Sequence, residues 1–194
     1  MNVSSDQLKE LRDQTGISVM QCKKALEEAE GDMQKALVLL KKKGAEVAEK
    51  KSDRELGAGV IGVYTHNTNE VAAMVHLACE TDFVAKNETF VQLARDIAMQ
   101  VAAMNPQYLR RDDIDEAAQE SAKSVFADEV KDKPAELQEK IMAGKLDAYF
   151  NEMVLLEQSF VKNGEQTIGA MLQEAVQTFG ENIEILNYSR LSVK

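Results

Sequence analysis

The sequence predicts an α+β protein: a small helical bundle, then a core in which a small antiparallel sheet is packed by helices. Three observations carry that expectation. Apolar residues recur at three- and four-residue spacing through residues 5–44. Two β-rich runs, 60–64 and 71–78, flank the turn formers Asn67-Thr68-Asn69. Helical spacing then returns from Asn87. The 194 residues are 44% hydrophobic and 29% charged, proportions of a folded domain rather than a disordered chain. Aromatics make up 5% with no Trp, so the core leans on Leu, Val, Ile, Met and Ala.

In the first 44 residues, a helix starting at Ser5 or Asp6 carries Leu8 and Leu11 and ends at Thr15-Gly16. Ser18 and Gln21 form an S-x-x-Q capping box for a second helix bearing Cys22, Ala25, Leu26 and Ala29, which Gly31 stops. Asp32 caps a third with Met33, Ala36, Leu37 and Leu40. Lys41-Lys42-Lys43 suits the negative end of that helix before Gly44. Residues 45–52, rich in Ala, Glu and Lys, extend the helix or act as a tether. Gly57 and Gly59 punctuate the chain, dividing it into 1–52, a three-helix domain with its linker, and 53–194, the core.

The core opens with a hairpin, Val60-Ile61-Gly62-Val63-Tyr64 pairing with 71–78. Glu80 to Lys86 leaves the second strand. Phe90, Leu93, Ala94, Ile97, Ala98 and Val101 share one face of the next helix, which Pro106 ends. Residues 112–157 read as a charged helical insertion, broken at Lys131 to Pro134 into a hairpin with Pro134 at a helix start. Phe160-Val161 reads as a short strand, Asn163-Gly164 as a turn, and Ile168 to Phe179 as an amphipathic helix closed by Gly180. The β-like tail from Asn182 to Val193 is expected to return to the sheet.

The net charge is −10. Residues 1–52 hold 10 Lys+Arg and 9 Asp+Glu, whereas 53–194 hold 13 and 24. A duplex nucleic-acid binder needs a concentrated basic face, so direct nucleic-acid binding is not expected. Two cysteines give no disulfide framework, no apolar run approaches the roughly 18 residues of a membrane span, and no signal-like segment opens the chain. These features point to a reduced, cytoplasmic protein.

Catalytic and metal signatures are weak. His66 and His76 are the only histidines. His76 and Cys79 lie three apart in a strand and so face opposite sides, which argues against a shared metal. A Cys79 nucleophile needs a positioned base, and His66 near the hairpin turn is not placed for that. No phosphate-binding glycine motif is present. Neither metal nor cofactor is expected. The Lys41–Lys43 run reads as a solvated helix end, with a contact to RNA or an acidic partner as the alternative. Thr81-Asp82-Phe83-Val84, on a short strand-to-helix connection, has two readings. Phe83 tucks back into the core, or it protrudes as a wedge for a partner's pocket. Composition alone favours the first.

Two stretches resemble the bacterial elongation factor Ts family. One is Leu11-Arg12-Asp13-Gln14-Thr15-Gly16 running on to Cys22-Lys23-Lys24-Ala25-Leu26, Glu30-Gly31-Asp32 and Lys43-Gly44-Ala45. The other is Cys79-Glu80-Thr81-Asp82-Phe83-Val84-Ala85-Lys86-Asn87-Glu88. The likeness continues through Phe90, Ala98-Met99 and Asn105-Pro106, then Glu157 to Val161 and Gly180-Glu181-Asn182-Ile183. The resemblance implies a translation elongation factor without catalytic residues of its own, a guanine-nucleotide exchange factor for elongation factor Tu. It implies a ubiquitin-associated-like N-terminal bundle touching the GTPase through Arg12, Val19, Met20 and Lys23. It also implies that Thr81, Asp82, Phe83 and Val84 displace the partner's magnesium, with His66 as a further contact. Here Gly16-Ile17-Ser18-Val19-Met20-Gln21 stands where the family commonly has Gly-Ala-Gly-Met-Met-Asp. Room for one core unit resembles the short form of the family, which works as a homodimer.

Overall fold

Residues 3–131 and 134–193 are described by a computed structural model. The architecture is α+β. Helices α1 (Ser5–Thr15), α2 (Val19–Glu28) and α3 (Met33–Lys51) precede strands β1 (Ala58–Thr65) and β2 (Val71–Cys79). Then come α4 (Asp82–Ala85), α5 (Glu88–Met104), α6 (Glu116–Val130) and α7 (Ala135–Met153). The chain closes with β3 (Ser159–Phe160), β4 (Asn163–Thr167), α8 (Ile168–Phe179) and β5 (Ile183–Ser192). An antiparallel sheet has the order β1-β2-β5, and β3 pairs with β4 in a separate two-stranded ribbon.

The chain forms two compact units, and the sheet strands contribute residues to both. The first comprises Met1–Gly62, His76–Ala94 and Ala170–Leu186. Its N-terminal helices bury Leu11, Ile17, Cys22, Leu26, Ala36 and Leu40 in one cluster. Ser4, not Ser5 or Asp6, caps α1 and forms a complete box with Gln7. Ser18 caps α2 as expected, its hydroxyl accepting from the Gln21 N–H at 3.4 Å. The Gln21 side chain reaches elsewhere: its Oε1 accepts from Gln177 Nε2 of α8 at 2.9 Å. Of the two readings of residues 45–52, the helical one holds: α3 does not stop at the lysines but continues through Gly44 to Lys51. Gly44 is buried, and a Cβ there would lie 2.9 Å from Gln177 Oε1 and 3.7 Å from the Gln173 carbonyl. It is therefore a close-approach residue for α8 rather than a helix terminator. Phe90 and Phe179 meet edge-to-face at 5.8 Å. Gly62 lies directly against the Ala94 backbone of α5.

The second unit comprises Val63–Val75, Arg95–Gly169 and Asn187–Lys194. Helices α6 and α7 form the expected hairpin, with Ile114, Ala122, Phe150 and Val154 buried together. Arg111 fastens its base, pairing with the Glu157 carboxylate, with Asp147 at 3.0 Å and with Asn151 at 2.7 Å. Gln100 and Gln158 are buried and mutually satisfied. Gln100 Nε2 donates to Gln158 Oε1 and to the Ser159 carbonyl, both at 3.1 Å, and its Oε1 accepts from the Val161 N–H at 2.9 Å. From β5, Tyr188 donates to the Pro106 carbonyl and Arg190 to that of Ala102, satisfying backbone acceptors at the end of α5. Strand β4 was not foreseen: Asn163-Gly164 begins it, and Val161-Lys162 makes the turn.

Candidate functional site

Strand β2 ends in the buried Cys79, and three residues later the chain enters α4. Thr81 is the N-cap: its backbone is extended (φ −126°, ψ 154°) and its hydroxyl accepts from the Val84 N–H at 3.5 Å. That arrangement starts a helix of one turn, and its successive side chains point different ways. Val84 turns inward and is buried at 4% exposure, whereas Phe83 is 83% exposed. The sequence-level preference for a tucked aromatic is thus overturned, because the neighbouring valine takes the inward place. Asp82, fully exposed at the helix start, pairs with Lys86 four residues on. The Lys86 ammonium holds its carboxyl below the usual range, first by hydrogen bond and then by charge. Asn87 takes over as the turn ends: its carbonyl accepts from Val91 at 3.0 Å and its Oδ1 from the Thr89 N–H at 2.9 Å. One short helix therefore hands directly to α5.

The corner is held from 100 residues away. Glu181 Oε2 accepts from the N–H groups of Glu80 (3.1 Å) and Thr81 (3.0 Å), while Oε1 accepts from Thr81 Oγ1 at 2.5 Å. In the reverse direction, Glu80 Oε1 accepts from the Asn182 N–H at 2.6 Å and from Arg54 at 3.2 Å. Asn182 Nδ2 donates to the carbonyls of Ser52 and Arg54, both at 3.3 Å. The Lys51 ammonium donates to the Gly180 carbonyl. The end of α3, the end of β2 and the start of β5 are thus stitched together. Glu80 and Thr81 were named with the corner itself, whereas sequence reasoning assigned no role to Lys51, Arg54, Glu181 or Asn182. Gly180-Glu181-Asn182-Ile183 stood out only as part of the resemblance, and no local pattern ties it to Thr81.

Glu80 has a measurable consequence. The Asn182 N–H, followed by Arg54, holds its carboxyl below the usual range. A depressed carboxyl stabilises the fold above the unfolded value of about 4.3 and loses that contribution as pH falls through the folded value. The gap in unfolding free energy between the wild type and Glu80→Gln is expected to be constant near neutrality and to close on acidification below about pH 4.3. Urea titrations at a series of pH values check this, and a gap as wide at pH 3 as at pH 7 refutes it.

The other expected residues are surface features. Arg12 is exposed in the last turn of α1. Val19 and Met20, at 44% and 76% exposure, open α2, and Lys23 follows, 3.9 Å from Glu27. They belong to the same compact unit as Thr81–Val84. His66 is exposed in the hairpin turn with Nδ1 3.3 Å from the Tyr64 hydroxyl, and belongs to the second unit. Cys79 donates to the Thr81 carbonyl at 3.2 Å, and burial pushes its thiol up, away from nucleophilic behaviour. Among the described residues, no helix is long and apolar enough to cross a membrane.

A solvent-facing aromatic on a firmly held backbone belongs to the class of side chain from which interface anchors are drawn. Comparison with known proteins supplies the family. The family model "Elongation factor TS" matches residues 23–194. Over 194 residues the chain is 46% identical to elongation factor Ts of Thermodesulfovibrio yellowstonii, covering all of this chain and 97% of the relative. It is 42% identical over 193 residues to elongation factor Ts of Thermotoga neapolitana (100% and 98% covered), and 44% over 195 residues to that of Herpetosiphon aurantiacus (100% and 98%). The chain belongs to the elongation factor Ts family, and is a translation elongation factor.

Proposed function

We propose that this chain is the guanine-nucleotide exchange factor of elongation factor Tu, acting through the Thr81–Val84 corner. The observation that supports the reading best is Phe83, an 83%-exposed aromatic beside a buried valine on a capped turn. Leaving a phenylalanine in water has no folding benefit, and contact with a partner's apolar pocket supplies one. Arg12, Val19, Met20 and Lys23 serve as a second contact from the N-terminal bundle, which in this reading is the family's ubiquitin-associated-like module. His66 provides a third.

The mechanism follows from linkage and needs no catalytic side chain. A GTPase that holds nucleotide at nanomolar affinity does so with about −12 kcal/mol. Release is slow because association is already limited by diffusion and docking. A protein accelerates release by binding the nucleotide-free state more tightly than the loaded one, and nucleotide weakens the protein's own grip by the same ratio. Phe83 enters between elements of the partner, and Asp82 perturbs the hydrogen bonds there. Displacing the magnesium leaves the nucleotide's phosphate charge uncompensated and loosens it. The test is release of fluorescent GDP from elongation factor Tu: a substoichiometric amount of the full chain should accelerate it. A release rate equal to that of the GTPase alone sinks the reading.

A homodimer is part of the same proposal. Val63 of β1, Met74 of β2, Leu191 of β5 and Val193 just beyond it are exposed hydrophobics of the second unit. A second copy of the chain is the occupant proposed for them. Equilibrium sedimentation should return twice the 21.5 kDa chain mass, and a monomer at micromolar concentration refutes it.

A further inference from the structure

The corner that carries Phe83 does not hold itself. Between Cys79 and α4, the N–H groups of Glu80 and Thr81 have no partner within their own strand or helix. The Glu181 carboxylate takes both on one oxygen and the Thr81 hydroxyl on the other. The Thr81 hydroxyl in turn accepts from the Val84 N–H, so the carboxylate orients the group that starts the helical turn. Glu80 returns the contact through Asn182, making a reciprocal pair of carboxylate-to-backbone bridges between the two segments. Resting on the reading of the corner above, we infer that Glu181 is the positioning residue of the partner-engaging turn. It touches nothing on the partner, and it sets the fraction of molecules in which Val84 is seated and Phe83 presented.

The chemistry gives this role a specific signature. Hydrogen bonds to a charged acceptor are about twice as strong as neutral ones. Without the carboxylate, the two N–H groups turn to water and the turn samples unclasped states. Binding through a competent state of fractional population f weakens apparent affinity by 1/f, and leaves the bound complex unchanged. Loss of Glu181 therefore acts on the concentration of factor needed, not on the limiting rate of nucleotide release. Removal of Phe83 acts on the limiting rate.

The experiment measures fluorescent GDP release from elongation factor Tu against concentration of the full chain, for the wild type, Glu181→Ala, Glu181→Gln and Phe83→Ala. Glu181→Ala should raise the half-maximal concentration about tenfold with the limiting rate retained. Glu181→Gln can rebuild the geometry, because its carbonyl oxygen accepts both N–H groups and its NH2 donates to Thr81 Oγ1. It should restore the half-maximal concentration to within about threefold of wild type, since only the charge is lost. Amide hydrogen exchange at Thr81 and Val84 should be faster in Glu181→Ala than in wild type and recover in Glu181→Gln. An unchanged half-maximal concentration in Glu181→Ala overturns the inference, as does a loss confined to the limiting rate. Should Glu181→Ala fail to fold, a glutamine variant with wild-type stability and a tenfold-raised half-maximal concentration overturns it too. If Phe83→Ala accelerates release normally, the reading of the corner falls. Amide protection at Thr81 then still decides on Glu181, and unchanged protection in Glu181→Ala overturns the inference.

Discussion

Replacing Phe83 by Ala should abolish most of the acceleration of GDP release while leaving the fold untouched. The side chain is 83% exposed, so its truncation removes little buried area, and substitutions of that kind generally fall within about 0.5 kcal/mol of neutral. At an interface the same ring is the strongest candidate anchor. Aromatic hot spots cost about 2–4 kcal/mol on truncation, or roughly 30- to 1,000-fold in affinity for the state they recognise. The loss should appear in the limiting rate of release, with circular dichroism and melting temperature unchanged. Asp82→Ala should reduce acceleration as well. Its only described side-chain partner, Lys86, is itself exposed, so stability again stays level. Normal acceleration by both variants would leave the corner without a role.

The second large effect is on stability. Gly62→Ala should lower the melting temperature steeply. A Cβ built on Gly62 lies 2.2 Å from the Ala94 carbonyl oxygen, 2.3 Å from its carbon and 2.8 Å from its Cβ. Two of those three atoms are backbone, so no rotamer change relieves the overlap, and strand β1 must move off α5. Overpacking of this sort costs about 3 kcal/mol or more, roughly a 6–12 °C fall for a chain of this size. Adding Ala94→Gly should not rescue the variant, because the clash is with the main chain. A single variant that melts within a degree of wild type, or a full rescue, would show that strand and helix can part cheaply.

The elements were legible wherever local chemistry decides them. Ser18, Asp32 and Pro134 announce helix starts, and the turn at Asn67-Thr68-Asn69 announces the hairpin, with Asn69 at φ 59°. What failed or stayed open depended on distant partners. Whether α3 runs past Gly44 stays open until α8 lies against it, because the cost of a glycine inside a helix is about 1 kcal/mol and packing readily exceeds that. Asn163-Gly164-Glu165-Gln166-Thr167 lacks apolar alternation, so periodicity could not reveal β4. The direction of Phe83 is the instructive case. Phe83 and Val84 are adjacent apolar residues in a short connection, and only the capped turn decides which is buried. The family likeness pointed to the outward reading where composition did not. Glu181 stayed invisible because its bonds run to Glu80 and Thr81 across the sequence, and no window of the chain contains both ends.

That separation gives the clasp a timetable. Thr81 and its acceptor on Glu181 are 100 residues apart. At a synthesis rate of about 5–20 residues per second, the segment with Phe83 leaves the peptidyl-transferase centre roughly 5–20 seconds before its fastener is made. The N-terminal bundle and the β1–β2 hairpin are complete early, whereas the turn between β2 and α5 waits until Glu181 has been added. A growing chain thus carries a finished bundle long before it carries a fastened Thr81–Val84 turn.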